Sequence, residues 1–149
     1  MADLNVVKLR DDLARDEGLR LRPYKCTAGY LTIGYGRNLE GNGITREEAD
    51  AMLDHDIAVI SKDLDKNIPW WRQMPEPAQR GLINMAFNLG WPRLNQFKNM
   101  LSALQTGNYY EAAQHALDSK WSFQVGDRAT RIGELFMVSA NGQEDDQAP

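Results

Sequence analysis

Three side chains with complementary chemistry lie in one short segment of the chain: Glu17, Cys26 and Thr32. A carboxylic acid that holds its proton near neutral pH can act as a general acid, and burial favours that protonated form. A thiol and a hydroxyl opposite the acid can hold and polarise a water molecule for attack. An acid on one side of a bond and water-positioning groups on the other are typical of an inverting glycoside hydrolase. We therefore expect an acid-assisted hydrolytic site here.

Each of these residues has a simpler interpretation when it is considered alone. A glutamate at a helix end commonly faces solvent. A lone cysteine is commonly a small buried apolar residue, and threonine favours strands because it is β-branched. The functional interpretation therefore depends on elements that bring the three side chains together.

An amphipathic helix is predicted just before this segment. Its apolar residues, Val6, Leu9 and Leu13, recur at helical spacing. Glu17 continues the same stripe near the helix end, which predicts partial burial of its carboxyl, and Gly18 supplies a C-cap.

A hairpin is predicted next, because the pattern changes to short strands around a turn at residues 27–29. If this turn pairs Cys26 with Tyr30, then Cys26 and Thr32 project from the same face of the sheet, since side chains alternate with period two. A loop at residues 41–43 closes this region.

The rest of the chain predicts a long helix followed by a helical bundle. Thr45 and Glu48 form a capping box, and the helix that they begin carries an apolar stripe to about Asp65, before Pro69 ends it. Residues 82–87 are hydrophobic almost all round, which is typical of a central helix. Further helices are predicted near residues 94–104, 109–117 and 128–138, with Asn108 and Asp127 as N-caps.

These elements predict a single α+β domain over residues 1–149. Its parts are a small antiparallel β lobe, a connecting helix, a helical lobe and a polar tail, over residues 18–43, 45–66, 67–140 and 141–149 respectively. A cleft between the two lobes is the expected position of the active site.

The composition excludes several classes of partner. The formal net charge of −4 argues against nucleic-acid binding, which needs clustered Lys and Arg, and against stable membrane association. The single cysteine forms no internal disulfide, and the two histidines, His55 and His115, are too isolated to suggest a metal site. Neither a signal peptide nor a membrane span is recognisable, so we expect a soluble cytoplasmic protein.

Several separated blocks of the sequence together resemble the phage-type lysozymes of glycoside hydrolase family 24. The catalytic signature of that family is Glu, eight residues, Asp or Cys, five residues and Thr, and Glu17, Cys26 and Thr32 meet it. The resemblance continues in order along nearly the whole chain. Its blocks are RDEGLRLRPYKCTAGYLTIGYGRN, GITREEADAMLDHDI, GLINMAFNLG and WSFQVGDRATRI.

The resemblance implies a lysozyme-like fold and a muramidase, which hydrolyses the β-1,4 bond between N-acetylmuramic acid and N-acetylglucosamine in peptidoglycan. It implies that Glu17 is the general acid, that Cys26 stands where many relatives have Asp, and that Thr32 orients water. Further implied residues are Arg128, which pairs with the catalytic Glu in such enzymes, and Asn84 and Phe87 in the cleft. His115 departs from the family pattern, because others have an amide at this position on the helix that faces the cleft, and we expect it to be a subsite residue.

The resemblance also implies how the protein works in its host. We expect a monomer without a cofactor, whose partner is the peptidoglycan glycan strand. As a phage endolysin it would stay in the host cytoplasm until a holin-type lesion releases it to the cell wall.

Two departures from the family pattern matter for mechanism. With Cys26 in place of Asp, the second group can act as a thiolate, as a hydrogen-bonding partner for water, or as a nucleophile toward the anomeric carbon. The last role gives retention instead of inversion. Arg37 stands where many relatives have His, so an ion pair there is insensitive to pH in the range where His titrates.

Three alternative functions use the same residues. A cysteine hydrolase would use Cys26 as nucleophile, with His55 or His115 as base. A lytic transglycosylase would cleave the same glycosidic bond without water and needs only a Glu. The third alternative is a glycan-binding protein with a lysozyme scaffold and no catalytic activity. The presence of Glu17 and Thr32 argues against it, because binding alone does not require these residues.

Overall fold

The computed structural model describes residues 2–146, with side-chain environments for residues 2–141. Its contacts divide the chain into two units, Met1–Ala51 and Met52–Pro149. The elements of the first unit are α1 (Val6–Glu17), β1 (Arg20–Lys25), β2 (Leu31–Gly34), β3 (Arg37–Asn38), α2 (Leu39–Asn42) and the start of α3 (Arg46–Asn67). Those that follow are a 3₁₀ helix (Pro69–Gln73), α4 (Glu76–Leu89), α5 (Trp91–Leu94), α6 (Lys98–Gln105), α7 (Tyr109–Leu117), α8 (Lys120–Val125) and α9 (Asp127–Asp146).

Helices and a small antiparallel sheet confirm the α+β class. The predicted single domain, with its lobe boundaries and its cleft, stays a prediction. Within the part of the chain that the structure describes, no helix is both long and apolar enough to cross a membrane.

Helix α1 ends at the predicted C-cap, Gly18, and begins at an N-cap, Asn5, that was not predicted. The side chain of Asn5 accepts a hydrogen bond from the Lys8 amide at 3.0 Å, which satisfies one of the free donors of the first turn. Gly18 adopts a φ of 74°, and its amide donates to the carbonyl of Ala14 at 3.0 Å. A positive φ is accessible to glycine without a steric penalty, so the chain turns away from the helix directly after Glu17.

The sheet has the strand order β1-β2-β3, with both pairs antiparallel. The predicted turn forms: the Cys26 amide donates to the Tyr30 carbonyl at 3.0 Å, and the Gly29 amide donates to the Cys26 carbonyl at 2.8 Å. Strand β2 is central, because Thr32 lies opposite Tyr24 of β1 on one side and Asn38 of β3 on the other. This central position explains why Thr32 is only 3% exposed.

The predicted capping box begins α3. The Glu48 amide donates to the hydroxyl of Thr45 at 3.1 Å, and the Thr45 amide donates to the Glu48 carboxylate at 2.9 Å. Arg37 of β3 also binds this carboxylate, with both terminal nitrogens 2.7 Å from its oxygens. One carboxylate therefore caps the helix and ties the sheet to it.

The hydrophobic core of the second unit is built where α4, α7 and α9 pack together. Leu82 and Met85 of α4 and Phe136 of α9 are completely buried, so α4 is the central helix that its sequence predicts. Gly81 allows the close approach, because a Cβ at this position would lie 2.9 Å from Cε1 of Phe136. Phe87, in contrast, is 42% exposed, so one face of α4 remains free of the core.

The structure corrects several predicted helix boundaries. Residues 41–43 are not a simple loop, because Asn38 accepts a hydrogen bond from the Gly41 amide and begins α2. Pro92 occupies the first turn of a short helix, α5, where the missing amide proton of proline leaves no hydrogen bond unmade. The range predicted near 94–104 is consequently divided between α5 and α6.

Further differences concern the last helices and the tail. Helix α8 was not predicted, since it spans six residues and depends on Ser119 as its N-cap. Asp127 is the first residue of α9 rather than its cap, and Asn108 precedes α7 without a side-chain capping bond. The predicted polar tail at 141–149 is helical to Asp146, and its last three residues lie outside the described part.

Candidate active site

Glu17 is the last residue of α1, and its side chain is exposed. The prediction of partial burial is therefore wrong, and the reason lies in the helix itself. Val6, Leu9 and Leu13 share the stripe of Glu17, yet all three are more than a third exposed, and α1 contributes no buried residue. A pocket of about 610 Å³ beside this stripe is lined by α1 and by Tyr35.

The sheet contacts the Glu17 carboxyl through the turn between β2 and β3. A Cβ added at Gly36 of this turn would lie 2.7 Å from Oε2 of Glu17, so the carboxyl rests directly against the glycine backbone. Strand β2, which precedes the turn, also carries Thr32. The same sheet therefore contacts the acid and presents the hydroxyl.

Cys26 and Thr32 form a cluster at the other end of the β1–β2 hairpin. The Thr32 hydroxyl donates to the carbonyl of Tyr30 at 2.8 Å, and the Cys26 amide donates to that same carbonyl. Thr32 is buried, while Cys26 is half-buried. The predicted proximity of the thiol and the hydroxyl on one side of the hairpin is consistent with these contacts.

The surroundings of Cys26 favour its thiolate form. The backbone of Tyr30 has the largest effect in holding the pKa of the thiol below its ordinary value, with smaller contributions from the Ala28 backbone, the Thr32 hydroxyl and the Gly29 backbone. Desolvation opposes them by raising the pKa. The Thr32 hydroxyl has one hydrogen, which either remains on the Tyr30 carbonyl or turns toward the sulfur.

A second group of predicted residues meets in the other unit. The guanidinium of Arg128 donates to the side-chain oxygen of Asn84 at 2.8 Å and to the Asn84 carbonyl at 3.2 Å. These two residues and Phe87 line a pocket of about 600 Å³, which we name the α4 pocket. Its other walls are mostly apolar, with Leu53, Ile57 and Trp71 among them. An aromatic ring flanked by an amide and a guanidinium is suited to a polar ligand with apolar faces.

His115 lies elsewhere in this unit. It lines a separate polar pocket of about 300 Å³, which also contains Asn99, Asn108 and Glu111. Nε2 of His115 is 3.8 Å from Oε1 of Glu111, one helical turn earlier. The structure thus groups Asn84, Phe87 and Arg128 but not His115.

Sequence reasoning missed Tyr35, Gly36 and Glu111 as neighbours of the predicted residues. The spacing of Glu111 and His115, four residues apart on one helix, carried the information for their contact. The contact of Gly36 with Glu17 depends on tertiary structure, which no local pattern reports. Within the described part of the chain, no three His, Cys, Asp or Glu side chains lie close enough together to hold a metal ion.

Comparison with known proteins identifies the family. A family model described as phage lysozyme matches residues 14–133, so the chain belongs to the phage lysozyme family. It is 34% identical to an endolysin of Acyrthosiphon pisum secondary endosymbiont phage 1, with 74% of each chain covered. It is 28% identical to probable T4-type lysozyme 1 of Dictyostelium discoideum, over 85% of this chain and 92% of that one.

A third relative is a larger protein, and the chain matches only part of it. The chain is 32% identical, over 89% of its length, to the pre-baseplate central spike protein Gp5 of Enterobacteria phage T4, of which it covers 28%. Family membership confirms the predicted lysozyme-like fold and the enzyme class, lysozyme. Peptidoglycan hydrolysis is the activity of this family.

Proposed function

We propose that this protein is a muramidase that hydrolyses the β-1,4 bond between N-acetylmuramic acid and N-acetylglucosamine, with Glu17 as general acid and with Cys26 and Thr32 positioning water. The observation that carries the proposal is the cluster at the β1–β2 hairpin. Its buried hydroxyl is held by the Tyr30 carbonyl, and its thiol has a lowered pKa. Such a pair of acceptors is suited to fix one water molecule.

The proposed reaction begins at the glycosidic oxygen. Glu17 donates its proton to this leaving oxygen while the bond to the anomeric carbon breaks. A water molecule, whose oxygen is oriented by Thr32, adds to the anomeric carbon and gives a proton to the Cys26 thiolate. Proton transfer through solvent then restores the protonated Glu17 and the thiolate.

Substrate contacts are proposed for the α4 pocket. Phe87 presents an exposed ring on which a sugar face can stack, and Asn84 and Arg128 supply donors beside it. His115 and Glu111 line a pocket separate from the α4 pocket, and His115 is proposed as a further subsite residue that contacts a polar part of the glycan strand.

A water-positioning cluster favours hydrolysis over lytic transglycosylation, because the latter needs no water. The partners of the Cys26 sulfur are backbone groups and a hydroxyl, which suit an acceptor in hydrolysis. A cysteine hydrolase requires an imidazole base beside its thiol, whereas no imidazole is among the groups that shift the pKa of Cys26.

The acid role is tested by Glu17→Gln, which preserves the shape of the side chain and removes its proton. A positioned general acid typically contributes about 10²–10⁴-fold to the rate. We expect clearing of outer-membrane-permeabilised Gram-negative cells to fall by this factor with an unchanged Tm. Asp16→Asn, which neutralises the neighbouring carboxylate, is the matched control and should remain active. Undiminished lysis by Glu17→Gln would contradict the proposal.

We further propose an endolysin role, in which a monomer accumulates in the host cytoplasm and reaches peptidoglycan after a membrane lesion. The similarity to a phage endolysin supports this role. The test is expression in host cells with and without a pore-forming protein. Lysis should need the pore, and lysis without it would contradict this route.

A further inference from the structure

In the turn between β2 and β3, Gly36 occupies a position where a side chain would collide with Glu17. Gly36 adopts a φ of 73°, which is a conformation that residues with a Cβ rarely adopt. A Cβ there would also lie 2.7 Å from Oε2 of Glu17, 3.2 Å from its Cδ and 3.6 Å from its Cγ. The first of these separations is shorter than real contacts of a Cβ allow.

Other glycines in the same unit share the backbone conformation but not the contact. Gly34, which is two residues earlier, has a φ of 71°, and Gly29 has a φ of 87°. A Cβ at either position would have no atom within 4 Å. Backbone freedom alone therefore explains Gly34 and Gly29, whereas Gly36 in addition leaves space that the Glu17 carboxyl occupies.

We propose that Gly36 is a positioning residue for Glu17, because the missing side chain sets where the carboxyl lies. This inference rests on the proposed role of Glu17 as general acid. The carboxyl is at the end of an exposed, flexible side chain, so a methyl group at Gly36 would displace it at little cost to folding. A displacement of about 1 Å can nevertheless reduce catalysis about 10²-fold, because proton transfer requires close approach to the leaving oxygen.

The central comparison is Gly36→Ala with Gly34→Ala. Both variants place a Cβ at a positive φ, so both should show a similar fall in Tm. Gly36→Ala should lose about 10²-fold in kcat with an unchanged KM, since the lost interaction acts mainly in the transition state. Gly34→Ala should stay within a few-fold of the native enzyme. Equal activity of the two variants would overturn the proposal.

A second pair of variants guards against failure to fold. Asn tolerates a positive φ better than Ala does, so Gly36→Asn and Gly34→Asn repeat the comparison with less backbone strain. The same split in kcat is expected, and its absence would again count against the proposal.

Shortening the acid gives an independent readout that a purely structural role would not change. Glu17→Asp withdraws the carboxyl from the space beside Gly36. Glu17→Asp should reduce activity strongly in the native chain but much less in the Gly36→Ala chain, where the carboxyl is already displaced. The activity losses of the two substitutions should therefore be non-additive. Losses that multiply independently would show that Gly36 does not act through Glu17.

A crystal structure of Gly36→Ala separates this inference from the proposed function. A Glu17 carboxyl displaced by about 1 Å or more supports the positioning role, and an unmoved carboxyl refutes it. Glu17→Gln tests the acid role separately, because an active variant would refute that role whatever the position of the carboxyl.

Discussion

The proposed role of Cys26 as the second catalytic group sets a requirement on its surroundings, because a thiol must lose its proton to act as a base. An ordinary thiol, with a pKa of about 8.5, is mostly protonated at neutral pH, whereas an ordinary carboxyl group is ionised there. In the β1–β2 hairpin, the backbone of Tyr30, the backbone of Ala28 and the hydroxyl of Thr32 all lower the pKa of the Cys26 thiol. The thiolate is thus favoured by donors rather than by a neighbouring cation.

The contribution of the hydroxyl is tested by Thr32→Val. The Thr32 hydroxyl lowers the pKa of Cys26 when its hydrogen turns from the Tyr30 carbonyl toward the sulfur, so its removal should raise that pKa and shift the pH profile of Cys26 alkylation upward. The Tyr30 carbonyl keeps its bond from the Cys26 amide and is not left without a partner. Thr106→Val, which removes another hydroxyl bound to a carbonyl, is the control and should leave the profile unchanged. An unshifted profile for Thr32→Val would contradict this account.

The role of the sulfur is tested by Cys26→Asp and Cys26→Ser. If Cys26 positions water and accepts its proton, a carboxylate can replace it, and we expect Cys26→Asp to retain at least about a tenth of the activity. Cys26→Ser, whose hydroxyl is a poor base, should be less active. NMR of the first product should show inversion at the anomeric carbon for the native enzyme. Retention, with a thioether-linked glycosyl adduct in the mass spectrum, would instead identify a nucleophile.

At the scale of elements, the carboxylate of Glu48 joins β3 to α3. The hydrogen bond from Arg37 is the largest cause that lowers its pKa to about 2, and the capping contacts with Thr45 add to it. A carboxylate with a lowered folded-state pKa contributes stability that is fully present above its ordinary value of 4.5 and is lost as the pH falls toward 2. Because the pair is substantially exposed, we expect the effect to be small.

The pH-dependent contribution of the Glu48 carboxylate to stability is tested by Glu48→Gln, which keeps a side chain suited to a capping box but removes the charge. The variant should have a lower Tm than the native protein at pH 7, and the difference should narrow between pH 4.5 and 2. Glu47→Gln is the neighbouring control in the same helical turn. A Tm difference that does not change with pH would exclude the ion pair as its source.

The close packing of α4 on α9 predicts the effect of a methyl group at Gly81. Alanine favours a helix by about 1 kcal/mol over glycine, but overpacking against a buried ring typically costs about 1–3 kcal/mol. Since the new Cβ would lie 2.9 Å from Cε1 of Phe136, the overpacking should offset or exceed the gain in helix propensity, and we expect Gly81→Ala to lose up to about 2 kcal/mol in urea unfolding. Gly133→Ala, where the nearest atom is a flexible Leu117 methyl at 3.3 Å, should be nearly neutral. Equal stabilities would refute the packing argument.

At the scale of the whole molecule, the sequence predicted the elements that have strong local signals. The capping box at Thr45 and the turn that pairs Cys26 with Tyr30 were predicted correctly, because they depend on residues close in the chain. Burial was predicted less well, as the exposed Glu17 illustrates, since an apolar stripe does not specify what covers it.

The contacts that the sequence could not predict join distant residues. Arg128 binds Asn84 from 44 positions away, and Gly36, in the turn between β2 and β3, meets Glu17 at the end of α1. Both contacts depend on how elements pack, whereas capping and periodicity report only neighbours in the chain. Family resemblance predicted Arg128 and Asn84 as functional residues, but their mutual bond is a structural finding.

The central claim, hydrolysis of the muramyl bond, is tested most directly by the chemistry of the new chain ends. Purified peptidoglycan would be digested, reduced with borohydride and analysed by mass spectrometry. A muramidase exposes a reducing N-acetylmuramic acid at each cut, so the account predicts new ends that are recovered as the muramitol. New ends recovered as 1,6-anhydromuramic acid, as reduced glucosamine or as free peptide termini would contradict it.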